Sequence, residues 1–515
     1  MKKEIIIQSA SIEEKILKNC QALVLAFFPG SSVIIQVADN ASAGREDEQE
    51  KIVLKIEKTK GDLESLESLQ SAELVQPVFQ ISCKSNGYLY TKEISAPVDK
   101  GLTLPGKEPL PQILVKRAMA EFLSVFTGQN NPWGILTGVR PGKLVTKMVE
   151  LGYNQESQYK ILKDYYLLSP SKIRLLQEVN RRQMPLIRHF RDNKNLVAVY
   201  VAIPFCPSRC FYCSFPSQSL TSHHRDLLSA YLRVLRQEIK YTAEVLKTKG
   251  LKVDSIYIGG GTPTVLNHKD LEGLLSTVIE EIPALEVTEF TVEAGRPDTI
   301  DKGKLYLLKQ YGVNRLSINP QTMQEKTLKK IGRTHGIEEF RLKYWEARNL
   351  SDWVINIDLI IGLPGEGQRE ILDSIAKVLE LRPDNLTVHA LALKRGSQAW
   401  ENNYIHNAGQ NWDKIQDVSQ EMIFAAGYVP YYLYRQKNIV GNLENVGYCL
   451  PGKECRYNIV MIEEICSVIG LGAGAGSKIL NMNNMLHENI YNPADVKLYI
   501  DRFSEVREHR KFSLI

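Results

Sequence analysis

The chain has 515 residues, a formal net charge of +5 at pH 7, and 43% hydrophobic and 24% charged residues. This length allows several domains with well-buried cores, and the composition excludes a disordered or low-complexity protein. Lysine and arginine are scattered rather than clustered, so no nucleic-acid partner is predicted. The apolar runs are too short for a signal sequence or a bilayer span, which predicts a cytoplasmic protein without a membrane span.

The N-terminal part of the sequence predicts two regions that precede the main pattern. Short β-branched runs such as "SVIIQV" and "PVFQISC" indicate a small α+β domain over residues 1–110. The apolar spacing of "ILVKRAMAEFLSVF" is typical of an amphipathic helix, so residues 111–195 are predicted to form a helical connector.

From residue 196 to about residue 395, strands and helices alternate in a repeated β/α pattern. The predicted strands are, in chain order, "LVAVYVAI", "DSIYIGGG", "EFTVEA", "NRLSINP", "WVINIDLIIGLP" and "NLTVHALAL". Six such units are too few to close an eight-stranded barrel. The sequence therefore predicts an α/β fold, an open partial (β/α)6 TIM-like barrel, with its site at the carboxyl ends of the strands. Residues 396–515 are predicted to form a C-terminal cap.

A cluster of cysteines follows the first of these strands. Cys206, Cys210 and Cys213 stand in one loop, among eight cysteines in the whole chain. Clustered thiolates bind zinc or iron–sulfur clusters, and a structural zinc needs four protein ligands. The nearest further ligands are His223 and His224, which leaves zinc as an alternative. Three thiolates on a [4Fe-4S] cluster would leave one iron open to a small molecule.

Glycines and polar residues follow the other strands at the same end of the predicted barrel. Three glycines end the second strand in "YIGGGTPTVL" and let a ligand approach the backbone, with a tight turn or a phosphate loop as alternatives. Asp358 lies inside the apolar "INIDLIIGLP", where a carboxylate needs a ligand or a salt bridge. Further polar candidates are Glu293, Gln321 and Arg333, the last with a solvated surface role as its alternative.

The cysteine spacing, with an aromatic residue before the third cysteine, resembles the radical S-adenosylmethionine superfamily. Over about residues 195–480 the sequence resembles the oxygen-independent coproporphyrinogen III oxidase family, most closely its HemZ branch. The resemblance implies that Cys206, Cys210 and Cys213 hold a [4Fe-4S] cluster. It also implies that S-adenosylmethionine binds the open iron and is cleaved to a 5′-deoxyadenosyl radical.

The resemblance further implies roles for single residues around the cluster. Tyr200 and Tyr212 would border the cluster and the adenosine, with Tyr200 at the catalytic centre. The other implied contacts are Gly260, Gly261, Thr262 and Glu293 for the methionine moiety, Arg333 for its carboxylate, Gln321 and Asp358 for the ribose, Ala390 for the adenine and Gly476 at a second S-adenosylmethionine.

The reaction that the resemblance implies is decarboxylation of coproporphyrinogen III to protoporphyrinogen IX in haem biosynthesis. Its partners would be a porphyrinogen or haem-type tetrapyrrole and a reducing electron donor such as flavodoxin or ferredoxin. Arginine suits carboxylates, so Arg395 is a candidate catalytic residue for the substrate propionates, with a solvated surface role as its alternative. Further candidates of this kind are Lys394, Arg435 and Lys437.

The sequence departs from the family pattern at two positions beside the cysteine loop. Ala202 stands where the family usually has histidine, and Phe215 stands where the oxidases have a further cysteine. Phe215 brings the sequence nearer to the related haem chaperones. A haem chaperone, or another haem-modifying radical protein, is therefore the alternative function on the same scaffold.

Overall fold

The protein divides into two compact units, residues 1–180 and 181–515. The structure is a computed structural model that describes residues 3–28, 31–37, 51–60, 77–85, 88–96, 104–105, 108–220, 224–282, 287–404, 406, 409–481 and 486–513. His223, one of the alternative zinc ligands, lies outside these ranges. None of the described helices combines the length and the apolar composition that crossing a membrane requires. The division into four domains stays a prediction.

The first unit contains a mixed sheet and several helices. Its elements are β1 (Glu4–Ser9), α1 (Glu14–Phe27), β2 (Ser32–Val37), β3 (Lys51–Lys60), β4 (Val78–Ser85), β5 (Tyr88–Ser95), α2 (Leu110–Thr127), α3 (Gly142–Glu150), α4 (Gln155–Asp164) and the start of α5 (Pro170–Asp192). The strand order is β2-β1-β3-β4-β5. Every second residue of β1 is buried, as an α+β domain with one covered sheet face requires. This unit therefore contains both a strand-rich part and a helical part, and the boundary between them at residue 110 stays a prediction.

The second unit begins with strands and helices in alternation. Its elements are β6 (Leu196–Ile203), β7 (Phe205–Cys206), β8 (Gln218–Ser219), α6 (Arg225–Thr248), β9 (Lys252–Gly260), α7 (His268–Glu281), β10 (Glu289–Glu293), α8 (Lys302–Gln310), β11 (Arg315–Ser317), α9 (Glu325–Lys330), α10 (Ile337–Leu350), β12 (Val354–Ile361), α11 (Gln368–Leu381), β13 (Asn385–Ala390), α12 (Gln398–Glu401), α13 (Trp412–Ala425), β14 (Val429–Tyr434), β15 (Asn445–Cys449), α14 (Arg456–Glu463), β16 (Ser467–Leu471), β17 (Gly476–Asn481), β18 (Leu486–Tyr491), α15 (Val496–Asp501) and α16 (Phe503–Ser513).

The main sheet confirms the predicted partial barrel. Among the described residues, the six predicted strands run parallel in the order β13-β12-β11-β10-β9-β6. They are buried on both faces, as strands covered by crossover helices must be. The carboxyl ends of these strands meet at one rim, where the predicted site residues stand.

The C-terminal segment continues this sheet at both of its edges, in addition to its helices. β15 pairs antiparallel with β13, and β14 pairs with β15. At the other edge, β16 pairs parallel with β6 and is followed by β17 and β18. The segment predicted as a cap therefore also protects the two edge strands of the barrel, which would otherwise expose unpaired backbone groups.

A buried charge network closes the end of the barrel opposite this rim. Arg315 at the start of β11 forms an ion pair with Glu289 at 3.1 Å. The same guanidinium donates to the carbonyls of Lys453 and Glu454 at 3.0 and 2.9 Å. Glu289 also accepts the backbone N–H of Tyr457 at 3.0 Å, in the first turn of α14. Glu289 and Arg315 thus bind the start of α14 and the segment before it to the amino ends of the strands.

Substitution of Arg315 by leucine is expected to lower the free energy of unfolding by about 3–5 kcal/mol, because it leaves the carboxylate of Glu289 buried without its counter-charge. Urea denaturation of the purified protein measures this loss. Lys377→Leu is the control, since its ion pair with Asp373 is largely exposed and contributes about 0.5 kcal/mol. Equal losses in both variants would contradict the structural role of Arg315.

Candidate functional site

The cysteine loop is closed on itself at the end of β6. The short strands β7 and β8 pair in parallel and bring the two ends of the loop together. The backbone N–H of Gln218 donates to the carbonyl of Pro204 at 2.8 Å, and that of Leu220 to Cys206 at 2.8 Å. Because both ends are fixed, the three thiols are held within one short, wrapped segment.

Two other segments hold the loop at the rim of the barrel. The N–H of Phe211 donates to the carbonyl of Ile331 at 3.0 Å, and the carbonyl of Phe211 accepts from Ala399 at 2.9 Å. The hydroxyl of Ser208 donates to the carbonyl of Gly332 at 3.1 Å. The loop is therefore bonded to the segment after α9 and to the start of α12, both in the same unit.

A buried arginine that sequence reasoning missed lies against the sulfur atoms. Arg296 Nη1 is 3.7 Å from Cys210 Sγ and 3.1 Å from Ser208 Oγ. Asp298 orients this guanidinium through two hydrogen bonds of 3.0 and 2.8 Å. A fixed cation beside a sulfur stabilises negative charge on thiolates and on the cluster that they bind. The available signal was the sequence "AGRPD" directly after the third barrel strand.

Burial raises the pKa of the Cys206 thiol above its ordinary value, which favours its protonated form. Burial raises the pKa of the Cys213 thiol to about 11. Within the described ranges, no three His, Cys, Asp or Glu side chains are placed to hold a single metal ion. A four-iron cluster bonds each thiolate through a different iron atom, so it does not require such convergence on one point.

The glycine turn after β9 lies directly against the cysteine loop. The N–H of Gly261 donates to the carbonyl of Ile203 at 2.9 Å, and that of Thr262 to Phe205 at 2.8 Å. A Cβ on Gly261 would stand 2.5 Å from the carbonyl oxygen of Phe205, and Gly260 has φ +107°. The hydroxyl of Thr262 is 3.5 Å from Cys206 Sγ. Glycine is thus required where two backbones meet.

Substitution of Gly261 by alanine is expected to displace the cysteine loop and to lower the iron content of the reconstituted protein severalfold, because the new Cβ overlaps the Phe205 carbonyl. Iron and sulfide analysis measures the loss. Gly138→Ala is the matched control, since a Cβ at that position meets no atom within 4 Å. Full iron content in Gly261→Ala would contradict the close approach.

Glu293 is a largely buried acidic side chain at the end of β10. It accepts a hydrogen bond of 2.6 Å from the hydroxyl of Tyr257, and a Cβ on Gly259 would lie 2.9 Å from its carboxyl carbon. Burial raises the pKa of Glu293 to about 7. A ligand amino group beside it would favour the ionised form. Tyr257, which orients this carboxylate, was not among the predicted residues.

Asp358 is placed inside the barrel by a network of amides. Asn319 Nδ2 donates to its Oδ2 and Asn356 Nδ2 to its Oδ1, each at 2.8 Å. The side-chain oxygen Asn319 Oδ1 accepts the backbone N–H of Asp358 at 3.0 Å. Burial favours the neutral acid, but the imidazole of His389, 3.8 Å away, and the hydrogen bond from Asn356 hold the pKa of Asp358 below its ordinary value. The carboxylate is therefore ionised and can accept hydrogen bonds from hydroxyl groups. Asn319 was not predicted.

Gln321 and Arg333 form hydrogen bonds with backbone carbonyls of neighbouring segments at the strand ends. Gln321 has φ +70°, and its N–H donates to the carbonyl of Asp358 at 3.1 Å. Arg333 is buried and donates to the carbonyls of Gly295 and Asn319 at 3.1 and 2.6 Å. It also donates to the hydroxyl of Tyr212 at 3.1 Å. Its Nε has no partner in the described part of the chain, so one buried donor remains for a ligand.

Tyr200 belongs to a stack of tyrosines inside the barrel. Its ring centroid is 6.1 Å from that of Tyr257 and 6.2 Å from that of Tyr457, with interplanar angles of 29° and 22°. Tyr257 and Tyr457 stack at 4.5 Å. A Cβ on Gly260 would lie 3.2 Å from the Tyr200 hydroxyl. Tyr200 thus reaches the glycine turn while its ring fills the barrel.

Three predicted residues are not brought into this group of contacts. Ala390 ends β13, where its N–H donates to Asn445 Oδ1 at 3.0 Å. Arg395 is exposed in the loop that follows. Gly476 begins β17, beyond β6, and a Cβ there would lie 3.0 Å from the ring of Tyr491. A cofactor role for Gly476 stays a prediction.

These residues fit the cofactors that the sequence implies. The thiols, the glycine turn and the Glu293 carboxylate follow or end the neighbouring strands β6, β9 and β10, and the ionised Asp358 lies within β12 of the same sheet. Together they offer sulfur ligands, a backbone cradle without side chains, a partner for an amino group and an acceptor for hydroxyl groups. This set of donors matches an iron–sulfur cluster with S-adenosylmethionine beside it.

Comparisons with known proteins find relatives of this chain. A family model described as the Radical SAM superfamily matches residues 200–378. The chain is 41% identical over 413 residues to the "Oxygen-independent coproporphyrinogen-III oxidase-like protein HemZ" of Bacillus subtilis (strain 168), covering 78% of this chain and 81% of that protein. It is 30% identical over 286 residues to the "Heme chaperone HemW" of Escherichia coli (strain K12), covering 55% and 70%.

A solved structure shares the fold. Coproporphyrinogen III oxidase HemN from Escherichia coli, described as a radical SAM enzyme, superposes with a TM-score of 0.50 at 23% sequence identity. The match covers 63% of this chain and 73% of that chain.

Proposed function

Because the chain belongs to the radical S-adenosylmethionine superfamily and, within it, to the HemZ branch of the coproporphyrinogen III oxidase family, we propose that it decarboxylates coproporphyrinogen III to protoporphyrinogen IX without oxygen. The family works with a [4Fe-4S] cluster and S-adenosylmethionine. In the proposed reaction each of two propionate side chains would give one hydrogen atom to the 5′-deoxyadenosyl radical and one electron to a one-electron acceptor, release carbon dioxide, and become a vinyl group.

The residues around the loop have separate tasks in this proposal. Cys206, Cys210 and Cys213 hold the cluster, which supplies, together with S-adenosylmethionine, a radical that abstracts hydrogen. Glu293 and the glycine turn bind the amino group of the cofactor. Asp358, oriented by Asn319, accepts hydrogen bonds from the ribose hydroxyls. Arg296 stabilises the negative charge that the thiolates bring into a buried place.

The tyrosine stack supports a reaction at the rim. Tyr200, Tyr257 and Tyr457 fill the space below the glycine turn, so a tetrapyrrole must meet the cofactor from the rim side. Arg395 and Lys394 are exposed at the rim, on the loop after β13, and stay the candidates for binding its propionates.

The observation that carries the proposal is the 41% identity to the HemZ protein over most of both chains. The decisive experiment incubates the anaerobically reconstituted protein with coproporphyrinogen III, S-adenosylmethionine and dithionite. Protoporphyrinogen IX and one molecule of 5′-deoxyadenosine for each lost carbon dioxide are the expected products. Asp358→Asn should lower the rate at low S-adenosylmethionine, whereas Asp373→Asn, on the exposed side of α11, should leave it unchanged. Cleavage of S-adenosylmethionine without any tetrapyrrole product would contradict the proposal.

A second candidate function, haem binding and delivery, is supported by the likeness to the HemW chaperones and by Phe215. The Phe215 side chain is 62% exposed beside the third cysteine, where a cysteine would otherwise offer a thiol. This candidate predicts that the reconstituted protein retains haem at a stoichiometry near one and forms no protoporphyrinogen. Absorption spectra after gel filtration with haem measure the retention.

A further inference from the structure

Two tyrosines of the C-terminal segment reach residues of the sixth barrel strand. Tyr432 and Tyr434 lie on β14, which is separated from β13 by β15. The hydroxyl of Tyr432 donates to Thr387 Oγ1 at 3.3 Å, and that of Tyr434 lies 3.3 Å from His389 Nδ1. A Cβ on Gly447 of β15 would overlap the ring of Tyr432, so glycine in the intervening strand lets that ring lie across it. The C-terminal segment thus brings hydroxyl groups to β13.

His389 also lies beside the carboxylate of Asp358. β12 and β13 are neighbours in the sheet, and His389 Nε2 is 3.8 Å from Asp358 Oδ1. Both side chains are partly open, with exposed fractions of 27% and 19%. The two atoms are too far apart for a direct hydrogen bond but close enough to contact the same small group. A ligand can therefore reach both of them at once.

The two neighbours of the imidazole determine which of its nitrogen atoms carries the proton. The carboxylate of Asp358 is ionised, so it would repel a bare nitrogen lone pair and favours an N–H at Nε2. In this tautomer Nδ1 is unprotonated and accepts the hydrogen bond of Tyr434. The arrangement thus places an N–H donor and a carboxylate acceptor 3.8 Å apart.

A hydroxyl group matches this pair of atoms. An oxygen atom at about 2.8 Å from both can accept from Nε2–H and donate its own proton to the carboxylate. An ammonium group has no lone pair with which to accept, and an ionised carboxylate has no proton to donate. Coproporphyrinogen III carries carboxylates and pyrrole N–H groups but no hydroxyl group, whereas the ribose of S-adenosylmethionine carries hydroxyl groups. The chemistry therefore favours the cofactor over the substrate as the ligand of His389.

We propose that His389, oriented by Tyr434, binds a ribose hydroxyl of S-adenosylmethionine together with Asp358 and selects for a cofactor that has this hydroxyl. The proposal rests on the proposed function only in placing the ribose at Asp358. It gives the C-terminal segment a part in cofactor binding, because β14 supplies the tyrosine that fixes the tautomer of the imidazole. A site built to hydrogen-bond a hydroxyl discriminates strongly against an analogue that lacks it.

The first test measures S-adenosylmethionine affinity by anaerobic isothermal titration calorimetry on the full-length reconstituted protein without reductant. His389→Asn keeps an amide near Tyr434 but is too short to face Asp358, and it is expected to weaken binding about fivefold through loss of one hydrogen bond. His389→Gln carries an amide N–H to the position of Nε2 and should retain most of the affinity. Unchanged affinity in His389→Asn, or equal losses in both variants, would overturn the proposal.

Cofactor analogues separate a contact with the hydroxyl from an effect on packing. The 2′-deoxy and 3′-deoxy forms of S-adenosylmethionine each lack one ribose hydroxyl. With the form that lacks the bound hydroxyl, His389→Asn and the unsubstituted protein should have equal affinities. If His389→Asn weakens the binding of both analogues as much as that of S-adenosylmethionine, the histidine acts through packing or a bound water, and the proposal is wrong.

The orienting role of Tyr434 has a matched control on the same strand. Tyr434→Phe removes the hydroxyl that fixes the imidazole and should weaken S-adenosylmethionine binding about twofold. Tyr431→Phe should leave the affinity unchanged, since its hydroxyl accepts from Asn458 Nδ2 at 3.2 Å and not from the imidazole. Equal losses in the two variants would contradict the role of Tyr434. If the unsubstituted protein binds S-adenosylmethionine but forms no protoporphyrinogen IX, the proposed function fails, while these affinities still decide the role of His389.

Discussion

Replacing Cys210 by alanine should leave the protein without its four-iron cluster and without cleavage of S-adenosylmethionine above background. The loop offers three thiols, and loss of one leaves two irons of the cluster without a protein ligand. Cys210 is also the thiol that Arg296 contacts, so the cation beside it would lose its partner. Iron and sulfide analysis, electron paramagnetic resonance after reduction, and 5′-deoxyadenosine formation measure the result.

Cys466→Ala is the matched control for this experiment. Cys466 is buried in a hydrophobic core cluster of the same unit, and its thiol donates to the carbonyl of Ser467 at 3.4 Å. Its removal should cost about 1 kcal/mol of stability and leave the iron content unchanged. If Cys210→Ala kept a cluster with a normal spectrum, the assignment of the loop as its ligand set would be wrong.

Replacing Glu293 by glutamine should weaken S-adenosylmethionine binding about tenfold or more at pH 8, because a hydrogen bond to a charged group contributes about 1.5–3 kcal/mol. Burial raises the pKa of Glu293 to about 7. Above that pH the carboxylate is ionised and accepts from the cofactor amino group, and below it the acid is neutral. Affinity in the unsubstituted protein should therefore fall as the pH drops from 8 to 6. Anaerobic isothermal titration calorimetry at several pH values measures this dependence.

Stability provides the control for folding in this variant. A carboxyl group whose folded pKa is raised stabilises the fold fully below its unfolded pKa, and this contribution is lost as the pH rises to about 7. Glu293→Gln should therefore be at least as stable as the unsubstituted protein at pH 8. Glu280→Gln, on the exposed side of α7, should change neither affinity nor stability. If Glu293→Gln retained the full decrease in affinity between pH 8 and pH 6, that decrease would belong to the ligand and not to Glu293.

Much of the barrel could be predicted because its strands are buried on both faces. β6 reads as one uninterrupted apolar run and matches the predicted strand from Leu196 to Ile203. The additional strands at the two edges were not predicted as parts of the sheet. The pairing of β16 with β6 depends on segments more than two hundred residues apart, and local periodicity carries no information about such a partner.

The site residues that could be predicted are residue types that are unusual in their local sequence context. Clustered cysteines, a run of glycines and a carboxylate within an apolar strand each required an explanation. Arg296, Asn319 and Tyr257 lie in ordinary contexts, and their importance comes from distances of 3.7, 2.8 and 2.6 Å to groups remote in sequence. Only the folded arrangement reveals contacts of this kind.

The pairing of β16 with β6 also determines when the barrel can be completed. β6 ends at Ile203, and its outer neighbour does not begin until Ser467. During synthesis, one edge of β6 therefore stays unpaired until almost the whole chain has been made. Contacts that join such distant segments form late and slow folding. The protein is therefore expected to remain dependent on protection from aggregation until translation is nearly finished.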